Sequence, residues 1–419
     1  MRWTLEKYLQ PVLQPRWRDR WQVKRVRKSS VAVKHAVTAM AATTDLRNLF
    51  VDVSVIARHD AGTGIQRVVR HVALELLQNP PAGWRVIPVG ASHKQPYHPI
   101  HWPGNGKASG EQIVRIAPGD VFLGLDYALD TVCMHEHQLA EWRTQGAALW
   151  FMMYDLLPWQ YPDWFSDKMV VRFRKWLSAL ARRADGFLCI SQVTETALGS
   201  VLAQQYGLAG GYMTHTLPMG WDFTPPNAQQ LDCTEADDIL RRLNGQPTAL
   251  MVGTLEPRKG HADVLAAFER LWQSGSTFNL LIAGKPGWKT EQFQSTLRHH
   301  PYYQRHLFWL DDVSDTLLAC LYAACTGVIA ASYAEGFGLP LLEALGQGKS
   351  VLARDIPVFH TLQLEGLSYF PQHADTSTLA QHIQDWLQSA HHPVTLPPLP
   401  TWSDTTRVIV DAILTLPLK

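Results

Sequence analysis

Two glutamates eight positions apart, Glu335 and Glu343, frame the stretch of this 419-residue chain that is best suited to chemistry. A carboxylate accepts hydrogen bonds from two neighbouring hydroxyls, so the pair suits the diols of a sugar or a ribose. The alternatives are an ordinary loop acid at Glu335 and, at Glu343, a favourable charge in the first turn of a helix. The residues between them begin with Gly336, Phe337, Gly338, Leu339 and Pro340.

These intervening residues suit a ligand that lies against the backbone. The two glycines let backbone N–H groups approach a ligand closely, and Pro340 fits the first position of a helix. The apolar run before Ser332 reads as a strand, and "LPLLEALGQG" reads as a helix. The sequence therefore predicts a strand, a ligand-binding loop and a helix in that order.

A second candidate stretch is "MVGTLEPRKGH", which lies between another strand pattern and another helix pattern. Gly253 permits a tight turn where the strand ends, and Arg258 and Lys259 follow just before the helix. Two adjacent cations beside a helix N-terminus suit a diphosphate. Considered alone, the same pair would read as a solvated basic turn.

Other candidate residues carry weaker signals. Gly62 and Gly64 form a G-x-G loop that suits a phosphate no better than it suits a plain turn. Asp155 ends a strand pattern, where it either touches a ligand or caps the next turn. His135 and His137 lie in a helical pattern without a nearby third ligand, so we expect a surface position and no metal site.

The elements that position these residues alternate between strand and helix periodicity. Apolar runs such as "NLFVDVSVI" and "AALWFMMYD" predict buried strands, and "GIQRVVRHVALELL" predicts a helix with one apolar side. The alternation occurs twice, on either side of a polar stretch rich in proline and glycine. We therefore predict an α/β protein with two doubly wound parallel sheets that face each other across a cleft, and ligands beyond the strands' carboxyl ends.

Composition narrows the class of protein. Apolar residues make up 46%, charged residues 18% and the net charge is +1, which argues against global disorder and against nucleic acid as a partner. No apolar run is long enough for a membrane-spanning helix. Five irregularly spaced cysteines predict free thiols in a reducing compartment, so we expect a cytoplasmic protein.

The first 35 residues are strongly basic, with ten lysines and arginines against two acidic residues. Apolar residues recur at helical spacing, and Trp17 and Trp21 follow one turn apart. A basic helix with tryptophan on one face suits an anionic membrane surface. The alternative is a helix that packs on its own domain or on another subunit.

Together, these motifs resemble one enzyme family. "EGFGLPLLEALGQGKSV" resembles the E-x7-E signature of retaining glycosyltransferases of family four, which have the two-domain GT-B fold. "VGTLEPRKGH" is similar to their diphosphate loop, in the form common in bacterial mannosyltransferases of polysaccharide assembly. Four further stretches resemble the same subgroup: "DAGTGIQRVVRH", "YDLLPWQYPDWF", "CISQVTETAL" and "ARDIPVF". The resemblance covers about residues 49–419.

The resemblance implies a role for each candidate residue. Arg258 and Lys259 would hold the donor diphosphate, Glu335 would bind hydroxyls of the donor sugar, and Glu343 would bind the ribose. Relatives carry a His-Asp pair where this chain has Tyr154-Asp155, so only the aspartate remains to touch the sugar or the acceptor. The expected backbone contacts come from Gly336, Phe337, Gly338 and Leu339 in one domain and from the loop of Gly62 and Gly64 in the other.

The resemblance also implies a domain organisation. The final helix would pack back toward the first domain. The five parts are a basic extension (1–47), an acceptor-side domain (48–222), a linker (223–247), a nucleotide-sugar-binding domain (248–400) and the final helix (401–419).

The implied activity is a retaining transfer of a hexose from a nucleotide diphosphate sugar to a glycan or polyprenyl-linked acceptor in bacterial surface polysaccharide synthesis. GDP-mannose is the favoured donor, and UDP- and dTDP-sugars remain open. No D-x-D triplet occurs, so neither a metal nor a further cofactor is expected. The alternatives are a sugar-nucleotide epimerase, a phosphorylase, or a non-catalytic subunit that binds nucleotide sugar. We expect the protein on the cytoplasmic side, peripheral at the inner face of the plasma membrane.

Overall fold

The computed structural model describes most of the chain, and its residues fall into two compact units. The first unit comprises Met1–Gln160, Asp167–Trp221 and Pro400–Lys419, and the second comprises Tyr161–Ser166 and Asp222–Leu399. The described residues are 19–27, 46–104, 114–221, 233–362, 364–389 and 399–414.

The first unit contains a seven-stranded sheet in the order β3-β2-β1-β4-β5-β6-β7. Neighbouring strands are parallel, except that the short β3 runs antiparallel to β2. The strands are β1 (Arg47–Asp52), β2 (Trp84–Gly90), β3 (His98–Pro99), β4 (Val121–Gly124), β5 (Ala148–Met153), β6 (Gly186–Cys189) and β7 (Met213–Thr216).

Six helices of this unit connect the strands, and the apolar stripe of each long helix packs on the core. The α1 helix begins in a capping box, in which the Thr63 side chain accepts from Gln66 N and the Gln66 side chain reaches back. The helices are α1 (Gly64–Gln78), α2 (Leu129–Met134), α3 (Glu136–Thr144), α4 (Leu157–Gln160), α5 (Asp167–Arg183) and α6 (Gln192–Tyr206).

The second unit contains a six-stranded sheet, all parallel, in the order β10-β9-β8-β11-β12-β13. The strand order reverses between β8 and β11, which is where ligands bind in open α/β sheets. The strands are β8 (Thr248–Val252), β9 (Asn279–Ala283), β10 (Leu307–Leu310), β11 (Gly327–Ala330), β12 (Val351–Arg354) and β13 (Leu367–Phe370).

Helices follow the strands of this second sheet, and their buried faces form a core around Phe268 and Trp272. They are α7 (Asp237–Leu243), α8 (His261–Gln273), α9 (Glu291–Arg298), α10 (Asp315–Ala324), α11 (Leu339–Gly346), α12 (Pro357–His360) and α13 (Thr376–Gln388).

The last described helix, α14 (Trp402–Leu414), packs against α1 in the first unit. The Trp402 ring stacks on His71 with centroids 4.8 Å apart and nearly parallel planes. Thr405 Oγ1 donates to Pro218 O at 2.6 Å, and Gly220 lies so close to Trp402 that a Cβ there would meet its backbone at 2.6 Å.

Helical residues 19–27 also pack on the first unit. Val23 is fully buried in the core of that unit. The Arg27 guanidinium donates to the carbonyl oxygens of Ala181, Ala184 and Gly211 at 2.8, 2.9 and 2.6 Å. The rest of the predicted basic helix, including Trp17, lies outside the described residues. Among the helices that the structure describes, none is both long and apolar enough to cross a bilayer.

The expectation that all five cysteines are free thiols is wrong for one pair, because Cys233 and Cys320 form a disulfide. The two residues are 87 positions apart in sequence, and α10 brings Cys320 against the segment that follows Cys233. Cys133, Cys189 and Cys325 are free, and burial raises the thiol pKa of each above its usual value.

Candidate functional site

Two loops meet at the carboxyl edge of the second sheet, where its strand order reverses. One follows β8 and carries Arg258 and Lys259, and the other follows the neighbouring β11 and carries Glu335. Tyr333 N donates to Arg258 O at 2.8 Å, so the two loops are joined through their backbones. Gly260 has φ of 71°, and a Cβ there would overlap Ala331 O.

A compact charge cluster forms where these loops touch. Lys259 Nζ donates to Glu335 Oε1 at 2.6 Å, and Arg258 donates to Glu335 Oε2 at 2.8 Å. Ser332 Oγ also donates to Oε1, at 2.7 Å. The three charged side chains are only 11–15% exposed, so water screens their attraction weakly. The structure therefore brings the two predicted cations and the predicted loop acid into direct contact.

Glu335 is ionised in this setting. Burial alone would raise its pKa, but Arg258, Lys259 and the hydrogen bonds from Lys259 and Ser332 outweigh that effect and lower the pKa to about 2. Arg258 also pairs with Glu256 Oε2 at 2.7 Å, so its guanidinium bridges two carboxylates.

Glu343 occupies a different position from the one predicted for it. The α11 helix begins at Leu339, which makes Glu343 its fifth residue, and no acid lies in the first turn. Because helix-dipole stabilisation falls off within the first turn, that alternative explanation for Glu343 is weakened. Glu343 is 8% exposed. Gly338 precedes the helix with φ of 110°, and a Cβ there would meet the Phe359 ring at 2.8 Å.

A pocket opens directly beside the charge cluster. It contains Lys259 and Glu335 from the predicted set, together with Gly338 at the start of α11. Arg258, Gly253 and Glu343 do not line it. Its polar and turn-forming lining is completed by His261, Ser332 and Pro340.

His261 lines the pocket, although no role was predicted for it from the sequence. It is the first residue of α8 and is 4% exposed, and its Nδ1 has no hydrogen-bond partner among the residues described. Burial and then the nearby Lys259 charge lower its pKa to about 3, so the ring is neutral at pH 7. The residue lies in the "EPRKGH" stretch, but sequence alone could not show a buried ring.

Arg354 joins the loop after β11 to α8, and no role was predicted for it from the sequence. It is 1% exposed, and it donates to Ala331 O at 2.9 Å, to Gln372 O at 2.7 Å and to Asp263 at 2.6 Å. Its guanidinium lies 4.1 Å from the centroid of the Tyr333 ring. Arg354 thus positions the loop before Glu335 without itself lining the pocket.

The three candidate site residues of the first unit each take part in a local turn or helix start. Gly62 has φ of 66°, and its N–H donates to Asp60 Oδ1 at 3.0 Å. Gly64 is the first residue of α1, behind its capping box. Asp155 Oδ1 accepts from Leu157 N at 3.0 Å and so caps the turn that begins α4.

Neither the two histidines of the predicted surface helix nor the acidic residues that the structure describes form a metal site. His137 is exposed, and His135 is half-buried, with its Nε2 2.8 Å from Ser92 O. Across the ranges that the structure describes, no group of three or more His, Cys, Asp or Glu side chains is placed to hold a metal ion.

A pair of buried carboxylates in the first unit was not anticipated. Asp52 ends β1 and is fully buried, where it accepts from Ser54 and, at 3.1 Å, from Tyr97 Oη. Burial and the neighbouring Asp126 raise the pKa of Asp52 to about 7 against the effect of these hydrogen bonds. Asp126 also has a raised pKa because it is buried, and accepts from backbone N–H groups that include Ile56.

We expect Asp52 to make stability depend on pH. The folded protein keeps this proton until about pH 7, whereas an unfolded aspartate releases it near pH 4. The stabilisation that the protonated Asp52 contributes is therefore complete below pH 4, and it is lost as the pH rises toward 7. Between pH 5 and pH 8, the free energy of unfolding in urea should therefore fall by roughly 1–3 kcal/mol less in Asp52→Asn than in wild type. Asp411→Asn, a change at an exposed position in the same unit, should leave the pH dependence of stability as it is in wild type. Equal pH profiles for Asp52→Asn and wild type would contradict the expectation.

Comparison with known proteins identifies the class of the second unit. Residues 233–395 match the model of the family described as "Glycosyl transferases group 1". The chain therefore contains a group 1 glycosyltransferase domain. It is 37% identical over 360 residues to the "Serotype-specific mannosyltransferase WbdA" of Escherichia coli, a match that covers 82% of this chain and 42% of that protein. It is also 32% identical over 149 residues to the "O-antigen chain mannosyltransferase B" of Escherichia coli, which covers 35% of this chain and 38% of that one.

The chain thus spans less than half the length of the WbdA proteins that it matches. Among solved structures, it resembles WaaG, "a glycosyltransferase involved in lipopolysaccharide biosynthesis", with a TM-score of 0.51 and 15% identity over 88% of this chain and 97% of the other. It also resembles Anabaena Alr3699/HepE in complex with UDP and glucose, with a TM-score of 0.55 and 16% identity over 88% and 95%. These likenesses confirm the predicted GT-B fold class.

Proposed function

We propose that this protein is a retaining, metal-independent mannosyltransferase of bacterial surface polysaccharide synthesis, with GDP-mannose as donor and a glycan or polyprenyl-linked acceptor. The observation that carries the proposal is the contact of Arg258 and Lys259 with Glu335 at the switch point of the second sheet. The relatives named as O-antigen and serotype-specific mannosyltransferases support the choice of mannose.

The cluster has the groups that such a reaction needs. The two cations would hold the donor diphosphate and stabilise the charge that develops on it as the glycosidic bond breaks. Glu335, ionised at neutral pH, is able to accept hydrogen bonds from sugar hydroxyls. With two fixed cations at this position, charge stabilisation would not need a metal ion.

The remaining donor contacts follow from the loop and helix that carry the cluster. Glu343 would bind the ribose hydroxyls, and the backbone from Gly336 to Leu339 would contact the sugar and the phosphates. Gly253 would keep the loop after β8 close to the donor. The roles of Gly62, Gly64 and Asp155 stay predictions, since each is engaged in a local cap or turn.

Retention would follow from substitution on the front face of the sugar. The departing diphosphate oxygen would take the proton of the acceptor hydroxyl as that hydroxyl bonds to the anomeric carbon. The enzyme then needs no nucleophile of its own, and its task is to hold both reactants and the developing charge.

We further propose that the protein acts on the cytoplasmic side at the inner face of the membrane. The first 35 residues hold ten lysines and arginines, which suits anionic lipid. Within this segment, residues 19–27 pack on the first unit and leave Trp21 55% exposed.

A donor panel tests the proposed function. GDP-mannose, UDP-glucose and dTDP-rhamnose are each added to the full chain, and thermal unfolding is followed. At a donor concentration 100 times Kd, binding stabilises the folded state by about 2.7 kcal/mol, or a few degrees in Tm. We expect GDP-mannose to give this shift and Lys259→Ala to lose it.

Transfer itself is then measured with mannose oligosaccharide acceptors, with the anomeric configuration of the product read by NMR. We expect retention and no loss of rate in EDTA. Inversion, or a rate that EDTA abolishes, would overturn those parts of the proposal. Binding without turnover on any acceptor would favour a non-catalytic subunit, and conversion of the nucleotide sugar without an acceptor would favour an epimerase.

A further inference from the structure

Five aromatic rings of the second unit, outside the pocket, form two stacks that residues 161–166 join, and we call the five rings together the stack. Tyr161 stacks on Trp164 with centroids 4.2 Å apart, and Trp164 stacks on Tyr333 at 6.0 Å. Phe165 stacks on Trp288 at 5.6 Å. The planes within each pair lie 18–29° apart, so the rings present roughly parallel faces.

Hydrogen bonds fix this stack in place. Trp288 Nε1 donates to Trp164 O at 2.7 Å, and Lys289 Nζ donates to Asp163 O at 2.8 Å. Side chains from the loop after β9 thus hold the backbone of residues 161–166. A stack held in this way offers a ligand a surface that loses little conformational freedom on binding.

The stack is accessible. Tyr161 is 40% exposed and Trp288 38% exposed, and both are among the few large apolar side chains exposed in the described part of the chain. A single exposed aromatic residue needs no explanation. Tyr161 and Trp288 are held near each other, since Tyr161 stacks on Trp164 and Trp288 Nε1 donates to Trp164 O, and clustered exposed aromatic side chains mark an interaction site.

The stack also adjoins the charge cluster. Tyr333 is two residues before Glu335, and its N–H bonds to the carbonyl of Arg258 at 2.8 Å. On the opposite side, the loop that carries Trp288 lies against the loop after β8, where a Cβ at Gly287 would overlap Leu255 O. The aromatic surface and the proposed donor site therefore share the carboxyl edge of one sheet.

We propose that Tyr161, Trp164 and Trp288 form a platform that binds sugar rings of a neutral acceptor oligosaccharide. This inference rests on the proposed function, because an acceptor glycan must reach the edge where the donor is held. One face of a pyranose carries mainly C–H groups, which pack on the electron-rich face of an aromatic ring. The rings carry no charge, which suits a neutral glycan better than an anionic lipid or a phosphorylated partner.

We favour a glycan over a protein as the bound partner because the platform lies beside the proposed donor site. A platform beside the donor site would hold sugar units behind the residue that receives the new sugar. It would thereby favour acceptors several sugars long over a single monosaccharide. The backbone groups that flank the rings would supply the few directional contacts that a sugar site needs.

The test compares full-length Tyr161→Ala with Tyr161→Phe, which keeps the ring, and adds Trp288→Ala. Mannotriose and mannose are the acceptor probes, and Met134→Ala in the first unit is the control for an exposed large apolar residue elsewhere. We expect Tyr161→Ala and Trp288→Ala to raise KM for mannotriose about tenfold, which is the loss of one stacked ring. The kcat should stay within about twofold, and the phenylalanine variant and the control should match wild type.

Direct binding separates this inference from the proposed function. Mannotriose is titrated into the protein and followed by saturation-transfer NMR, and GDP-mannose binding is measured in parallel. If mannotriose binds and the alanine variants lose it, the platform stands even where no donor is turned over. If transfer proceeds and Tyr161→Ala leaves both KM and mannotriose binding unchanged, the platform is overturned. Loss of self-association in the variants with unchanged sugar binding would assign the rings to a protein contact and likewise overturn it.

Discussion

Glu335→Gln is expected to lower the rate of sugar transfer by about 100- to 1000-fold, the scale found when one polar group is removed from a preorganised site. Both carboxylate oxygens are in use, since Oε1 accepts from Lys259 and Ser332 and Oε2 accepts from Arg258. An amide has one acceptor oxygen, so one of the two cations would face an N–H group instead. The substitution thus disturbs the sugar contact and the cations that hold the diphosphate.

The measurement is kcat and KM for the donor, with circular dichroism and urea unfolding as the check of folding. Glu365→Gln is the matched control, because Glu365 is an exposed acid on the turn before β13 in the same unit. Lys259→Ala should show a comparable loss of transfer. Full activity in either site variant would remove the cluster from the proposed mechanism.

Arg354→Met is expected to give the largest loss of stability, about 3 kcal/mol or more. The guanidinium is 1% exposed and satisfies two carbonyl oxygens, Ala331 O and Gln372 O, as well as the Asp263 carboxylate. Methionine fills part of the volume but donates no hydrogen bond, so buried acceptors lose their partner. Tyr333, whose ring lies under the guanidinium, should also lose its fixed position.

The free energy of unfolding in urea measures this effect. Arg298→Met is the control, because Arg298 also lies over an aromatic ring, that of Trp309, and also pairs with an aspartate, but is half exposed. Its loss should be below about 1 kcal/mol. A loss of that size for Arg354→Met would show that the loop before Glu335 does not depend on Arg354.

The charge cluster was open to prediction because its parts are local. Arg258 and Lys259 follow one strand directly, and Glu335 follows another, so the parallel-sheet pattern already brings them to one edge. The helix position of Glu343 was wrong by one residue, which moves it out of the first turn, because the sequence does not state which residue of the glycine-proline stretch begins α11. Helix boundaries are set by capping geometry that several local sequences would permit.

Long-range contacts were not open to prediction in the same way. The bonds of Arg354 reach residues 18, 23 and 91 positions away, and the disulfide joins residues 87 apart. The raised pKa of Asp52 depends on burial against Tyr97 and Asp126, which an isolated strand pattern cannot show. The roles of such residues follow from the tertiary arrangement, whereas strand and helix patterns come from neighbours in sequence.

The grouping of residues 161–166 with the second unit has a practical consequence for dissecting the chain. A fragment limited to the family match at 233–395 would contain Trp288 and Tyr333 but not Phe165 and Trp164, on which their rings stack. It would expose two aromatic faces to water and lose the carbonyl groups that bind Trp288 and Lys289. Such a fragment would be prone to aggregate. The boundaries of a recombinant nucleotide-sugar domain should therefore follow the spatial unit, with the six-residue segment supplied by fusion or circular permutation, and not the contiguous sequence match.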